Sequence, residues 1–179
     1  MKYILILLTA FSFMNTDVAA QKFGHIDTQL LLDTMPETAV AQAELEVMNA
    51  EFTKVIGDLE AEITALAQEI QTYSPMWNEL ERQSKMSQYE DSQLRYQNVA
   101  RQAQQTIADT ETRLLTPIIE LAREAIKAVG AENNYTYIFD VSTGGVIYDG
   151  GGDDVMSLVL AKLAELRTAA AATTPVTGN

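Results

Sequence analysis

The sequence predicts a mainly helical α+β protein: a long antiparallel helical hairpin, of coiled-coil type, standing on a small β body that several copies build together. Three observations predict it. Apolar residues repeat every 3–4 positions from Leu45 to Tyr73, a second long helical stretch follows the break at Tyr73-Ser74-Pro75, and the strand-forming material is confined to the two ends of the chain. Leu45, Met48, Phe52, Ile56, Leu59, Ile63, Leu66, Ile70 and Tyr73 recur at a mean of about 3.5 residues, the seam of a coiled coil and not the wider face of a globular helix.

Ahead of this, Lys2, the apolar stretch opening at Tyr3-Ile4-Leu5-Ile6-Leu7-Leu8 and reaching Met14, and the small residues of Val18-Ala19-Ala20 make up a secretory signal over residues 1–20. Cleavage after Ala20 leaves Gln21 first. The apolar run is shorter than the ~20 residues a spanning helix needs. There is no cysteine, so an exported chain that often would use disulfides depends here on packing or association. The full chain carries 12 Lys and Arg against 25 Asp and Glu, net −13; loss of Lys2 and Asp17 with the signal leaves that value unchanged. Such acidity argues against a nucleic-acid partner, whose phosphates attract Lys and Arg, and against contact with anionic membrane surfaces.

Residues 36–113 read as the helical arm. Thr34 and Glu37 form a capping-box pair around Pro36, which suits a first helical turn. From Glu37 to Thr72 there are eight acidic residues against Lys54 alone. A helix over this span is about 55 Å long, too long for the interior of a chain this size, so it projects. Ser74 and Pro75 are expected to cap and start the returning helix, which carries Met76, Trp77 and Leu80 and then becomes rich in glutamine. Its expected seam is Met86, Tyr89, Tyr96, Ala100, Ala103, Ile107 and Leu114.

The body is expected from residues 21–35 and 114–167. Phe23-Gly24-His25-Ile26 reads as a short strand, with Asp27 capping a helical turn. Pro117 is expected to kink the returning helix; beyond it Ile118, Leu121, Ala122, Ala125, Ile126 and Val129 form a stronger apolar face that ends at Gly130. Tyr135 to Val141 reads as a strand, returning through Ser142-Thr143-Gly144-Gly145 as a hairpin with Val146-Ile147-Tyr148. Asp153 or Asp154 caps a last helix facing inward through Val155, Leu158, Val159, Leu163 and Leu166. Residues 168–179 are expected to be a disordered tail. Ile26, Tyr135, Tyr137, Phe139, Val146, Ile147 and Tyr148 exceed what one copy of so small a sheet can bury, which marks them as candidate assembly residues.

No chemistry is announced. His25 is the single histidine and no nucleophile motif accompanies it; without cysteine there is no histidine–cysteine metal set. The glycine runs lack the Lys-Ser/Thr of a phosphate loop. The expectation is no catalytic residue, no metal and no cofactor.

The order of these pieces resembles the Skp/OmpH family of periplasmic chaperones. The resemblance rests on Phe23-Gly24-His25-Ile26-Asp27, on the helical hairpin, on Leu115-Thr116-Pro117-Ile118-Ile119 leading to Gly130, on Asn134 to Asp140, and on Val146-Ile147-Tyr148 before the closing helix. It implies a homotrimer whose helical arms enclose a cavity, holding unfolded outer-membrane proteins in the periplasm without nucleotide. Well-known members have basic arms; these are acidic, which argues against lipopolysaccharide contact. Multivalent weak contacts would hold a client, with Phe52, Ile56, Tyr73, Met76, Trp77, Met86 and Tyr89 as candidates. The competing role for these side chains is packing between the helices, and the competing function is an adaptor coiled coil with one fixed partner.

Overall fold

The computed structural model describes residues 21–148 and 150–173; residues 1–20, where the secretory signal is expected, Asp149 and the last six residues lie outside them. The elements are β1 (Phe23–Ile26), α1 (Thr28–Thr34), α2 (Pro36–Tyr73), a 3-10 turn (Ser74–Met76), α3 (Glu79–Glu132), β2 (Tyr137–Asp140), β3 (Asp153–Asp154) and α4 (Met156–Thr173).

α2 and α3 form the antiparallel pair that the sequence predicts. As the α2 position falls from Glu69 through Glu62 to Glu44, its α3 partner rises from Lys85 through Ser92 to Arg113. Every predicted α2 seam residue from Leu45 to Ile70 is half-buried, since one neighbouring helix covers only one side of it. α3 runs unbroken past Pro117 for 54 residues, about 80 Å at 1.5 Å each. Proline removes one helical hydrogen bond and its ring crowds the carbonyl four residues earlier, while Ile118, Ala122, Ala125 and Val129 anchor the helix in the body just beyond it.

Gly130 does not end α3. The helix continues to Glu132, and Asn134, at φ 58°, takes the left-handed position that asparagine tolerates. The Asn133 side chain donates to the carbonyl of Val129 at 2.9 Å. Nor does Thr34 cap α2: its hydroxyl donates back to the Leu31 carbonyl at 2.7 Å, and Met35 is the N-cap without a side-chain bond. Glu37 is therefore free to take Arg167 of α4 in a two-point pair at 2.6 and 2.7 Å. Arg167 holds the Glu37 carboxyl below its ordinary range, against the opposing effect of burial.

The sheet corrects the expected hairpin. β1 is central, in the order β2-β1-β3, and both neighbours run parallel to it. Phe23 faces Tyr137 and Ile26 faces Asp140; Gly24 faces Asp153. Val146-Ile147-Tyr148 forms no strand, with Ile147 97% and Tyr148 86% exposed. β1 offers two ladders to satisfy, whereas a Val146–Tyr148 return would have buried little. The turn is fixed instead by Asp140, whose carboxylate accepts from the Thr28 amide and hydroxyl (3.3 and 2.6 Å) and from the Ser142 amide and hydroxyl (2.9 and 2.7 Å).

One sheet face packs on the core formed by Ile26, Leu31, Met35, Ala41, Ile118, Ala122, Ala125, Val129, Val155, Val159 and Leu163. None of these lies between residues 42 and 117. Asp27 caps α1 through Leu30 and Asp154 meets the amide of Met156, as expected for both. α4 extends to Thr173, so residues 168–173 of the expected tail are helical; within them the Thr168 hydroxyl donates to the Ala164 carbonyl at 2.8 Å.

Candidate functional surfaces

Two surfaces collect exposed apolar side chains, and both arise from the way the sequence alternates. The first is the open face of the sheet. With a period of two along each strand, Gly24, Ile26 and Ile138 point toward the core while Phe23, Tyr137 and Phe139 point away. The three rings contact one another with centroids 6.1, 6.2 and 6.0 Å apart, and are 40%, 59% and 46% exposed. Parallel sheets are ordinarily covered on both faces; this one is covered on one.

The sequence-predicted assembly residues divide accordingly. Tyr137, Phe139, Ile147 and Tyr148 are exposed, and Val146 is half-buried. Ile26 is 1% exposed and belongs to the core of a single copy, because its strand position faces the helices. Tyr135 is held within its own chain: its hydroxyl donates to Asp153 at 2.8 Å and the Lys22 ammonium lies 4.0 Å above its ring. That hydroxyl, with Lys22 adding to it, keeps the Asp153 carboxyl below its ordinary range. Phe23 was not foreseen as an assembly residue, although its alternation with Gly24 and Ile26 was the available signal.

The second surface lies along the arm. Its tip is a defined turn: the Trp77 amide donates to the Ser74 carbonyl at 3.4 Å, Arg82 donates to the carbonyl of Trp77 at 3.3 Å, and Asn78 and Glu81 form a reciprocal capping box at 2.9 and 3.1 Å. Asn78, not Ser74, therefore starts α3. The tip presents Tyr73, Met76 and Leu80, the last two 71% and 77% exposed. Trp77 is half-buried and lines one hollow with Leu80, Glu81, Ser84 and Lys85 at the start of α3. Phe52, Ile56 and Tyr89 are half-buried between the helices, and Met86 is exposed. Leu80, Val40, Val47, Val55 and Leu94 are exposed apolar residues absent from the candidate set.

Between the helices the expected α3 seam is buried or half-buried from Tyr89 to Leu114, with Met86 alone exposed, and polar residues join it. Ser92 is buried and donates to Glu62 at 2.7 Å; Arg95 reaches the same carboxylate at 2.8 and 3.0 Å; Tyr96 donates to Glu60 at 3.0 Å. Lys85–Glu69 and Arg113–Glu44 close the series at 2.9 and 2.8 Å. The Glu60 hydrogen bond raises the Tyr96 hydroxyl above its ordinary range. Exposed ion pairs of this type each contribute about 0–1 kcal/mol, so the arm is weakly joined compared with the body.

Among the described residues no group of three His, Cys, Asp or Glu is placed to hold a metal, and no helix is long and apolar enough to cross a membrane. The family model for outer membrane protein (OmpH-like) matches residues 22–163, which takes in the sheet, both arm helices and the start of α4. The chain belongs to the OmpH-like family. No curated protein matches its sequence significantly. The fold of this OmpH-like chain is similar to a crystal structure from Caulobacter crescentus CB15, described as a candidate OmpH-like outer membrane chaperone. The TM-score is 0.69 at 11% identity, covering 83% of this chain and 86% of the other; at that identity the likeness establishes the shared fold.

Proposed function

We propose that this protein is an ATP-independent holdase of the periplasm, exported by its signal sequence, that holds unfolded outer-membrane proteins between the arms of a homotrimer and keeps them from aggregating. The observation that carries the reading is the pairing of a bare aromatic sheet face with a long, weakly joined arm whose exposed apolar residues are scattered along it. The bare face of Phe23, Tyr137 and Phe139 is what an intersubunit β body requires, and exposed apolar patches of this kind mark interaction sites. The spread of single apolar residues suits many weak contacts to a client that stays unfolded. Membership of the OmpH-like family and the Caulobacter neighbour support a chaperone role.

The test is suppression of aggregation. The mature protein, in about equal molar ratio of trimer to a urea-denatured porin, keeps the porin from scattering light after dilution, with no nucleotide present. Sedimentation at micromolar concentration gives a trimer, and Tyr137→Ser with Phe139→Ser gives monomer. A wild-type protein that is monomeric, or that leaves aggregation unchanged, overturns the reading. A stoichiometric complex with one folded envelope protein, without any holding of porin, selects the adaptor function, for which the well-formed tip of Met76 and Leu80 is the available docking point.

Trp77→Ala reports on the tip. Because Trp77 is half-buried beside Leu80 in the hollow at the start of α3, its removal is expected to lower porin holding about two-fold while the trimer persists. Met76→Ser with Leu80→Ser lowers holding by a similar factor. Unchanged holding in both variants removes the tip from the client surface.

A further inference from the structure

α2 has a second apolar row, opposite the seam that meets α3. Val40, Ala43, Val47 and Ala50 follow one another at intervals of three and four residues, all exposed, and Val55 flanks the far end. Val40, Val47 and Val55 are 69%, 61% and 45% exposed. From Val40 to Ala50 the row is about 15 Å long. An ordinary solvated helix face would carry charged residues there.

The charges flanking it are negative except for Lys54, four residues beyond Ala50. The carboxylates on the α3 side of α2 are taken: Glu44 by Arg113, Glu60 by Tyr96, Glu62 by Arg95 and Glu69 by Lys85. Lys54, the one cation of α2, pairs with Asp58 at 2.8 Å. Glu46 and Glu51, exposed beside the apolar row, have no hydrogen-bond or ion-pair partner among the described residues. The row therefore offers apolar contact flanked by unneutralised negative charge.

We propose that this outer face of α2 is a docking track that selects unfolded segments in which apolar residues are interspersed with lysine and arginine. The proposal rests on the holdase reading and names the client chemistry that the arm prefers. A second copy of α2 is the poorer occupant, because Glu46 and Glu51 would meet their own copies across the contact, and like charges across an interface are costly. A cationic apolar segment meets both features at once: its aliphatic side chains cover the valines and its ammonium or guanidinium groups reach Glu46 and Glu51.

The experiment uses the mature protein with two fluorescein-labelled peptides, one rich in leucine and lysine, the other its twin with glutamate at every lysine. At about 50 mM salt the lysine peptide is expected to bind about ten-fold more tightly, and the advantage to shrink to about two-fold at about 0.5 M. Glu46→Gln with Glu51→Gln, two exposed changes that helices accept, weakens the lysine peptide about five-fold with helicity unchanged. Equal affinity for the twins, or indifference to the double variant, overturns the track; continued holding of denatured porin by wild type then leaves the holdase reading standing. Loss of porin holding with lysine-peptide binding intact has the opposite meaning. A change of oligomer size in Val47→Ser, with peptide binding unaltered, makes the row a contact between copies and overturns the proposal.

Discussion

Gly24→Val is expected to prevent the body from closing. A Cβ at Gly24 would stand 2.9 Å from Val155 Cγ1 and 3.2 Å from the Tyr135 ring, and valine adds two methyl groups beyond it. Neither neighbour can withdraw cheaply. Val155 is fully buried beside Ile26 and Val159, and Tyr135 is tied to Asp153 through its hydroxyl and to Lys22 through its ring. Overpacking of a close-packed core costs about 1–3 kcal/mol for added methylenes; with backbone on one side and two fixed side chains on the other, the upper end applies to alanine and more to valine. A domain of this size has about 5–15 kcal/mol in total. Gly24→Ala should lower the thermal midpoint by about 6–12 °C, at about 2–4 °C per kcal/mol, and Gly24→Val should leave the arm helices detectable by circular dichroism without a cooperative melt. Wild-type melting in Gly24→Val would refute this packing.

The second large effect is expected at Asp140. Its carboxylate ends β2 and, through the Thr28 amide and hydroxyl, also secures the start of α1, with Ser142 completing four bonds. Burial pushes this group up, but the bonds from Thr28 and Ser142 outweigh it and hold the carboxyl below its ordinary value of 3.8. Hydrogen bonds to a charged group contribute about 1.5–3 kcal/mol, so Asp140→Ala is expected to lose about 2 kcal/mol at neutral pH. A folded-state value below the unfolded one gives stability that is present above about pH 4 and lost as the pH falls through the lower, folded value. The difference between wild type and Asp140→Ala, measured by urea denaturation, should therefore narrow below about pH 4. Glu37 and Asp153 are lowered as well and weaken both proteins alike in acid, so the difference isolates Asp140. A gap that stays constant from pH 7 to pH 3 would assign its effect to shape alone.

The arm was legible because its signal is local. Leu45 to Ile70 carry a period that only a helix with one facing partner uses, and the helices answer to it. The α3 seam was in phase from Tyr89 to Leu114 but incomplete, because its inward residues also include Ser92 and Thr110, which hydropathy does not mark. The sheet was misread for the converse reason. Tyr135–Val141 and Val146–Tyr148 look like a hairpin because they are adjacent in sequence, whereas the residues that pair with Tyr137–Asp140 lie near the other end of the chain. The start of α3 was available in Asn78 and Glu81, three apart, but Ser74-Pro75 offered an earlier cap, and the turn between them uses both signals. Of the candidate contact residues, Tyr73, Met76 and Met86 are open, whereas Phe52, Ile56 and Tyr89 lie partly in the helix pair. An apolar residue in a helix does not by itself reveal which of two faces it occupies, and Val40 and Val47 were overlooked for that reason.

The central position of β1 has a consequence for how a chain made from its amino end reaches this structure. Phe23 waits for Tyr137, 114 positions later, and Gly24 for Asp153 after that. Long-range pairings of this kind form slowly, since a large loop must be drawn in before any bond rewards it. Here the antiparallel helices shorten the journey by doubling the intervening segment back on itself, so that the hairpin brings the first strand and its late-arriving neighbours to one end. Maturation should then proceed from rod to base, with a nascent stage in which the arm is formed and a sticky leading strand is still searching for its place.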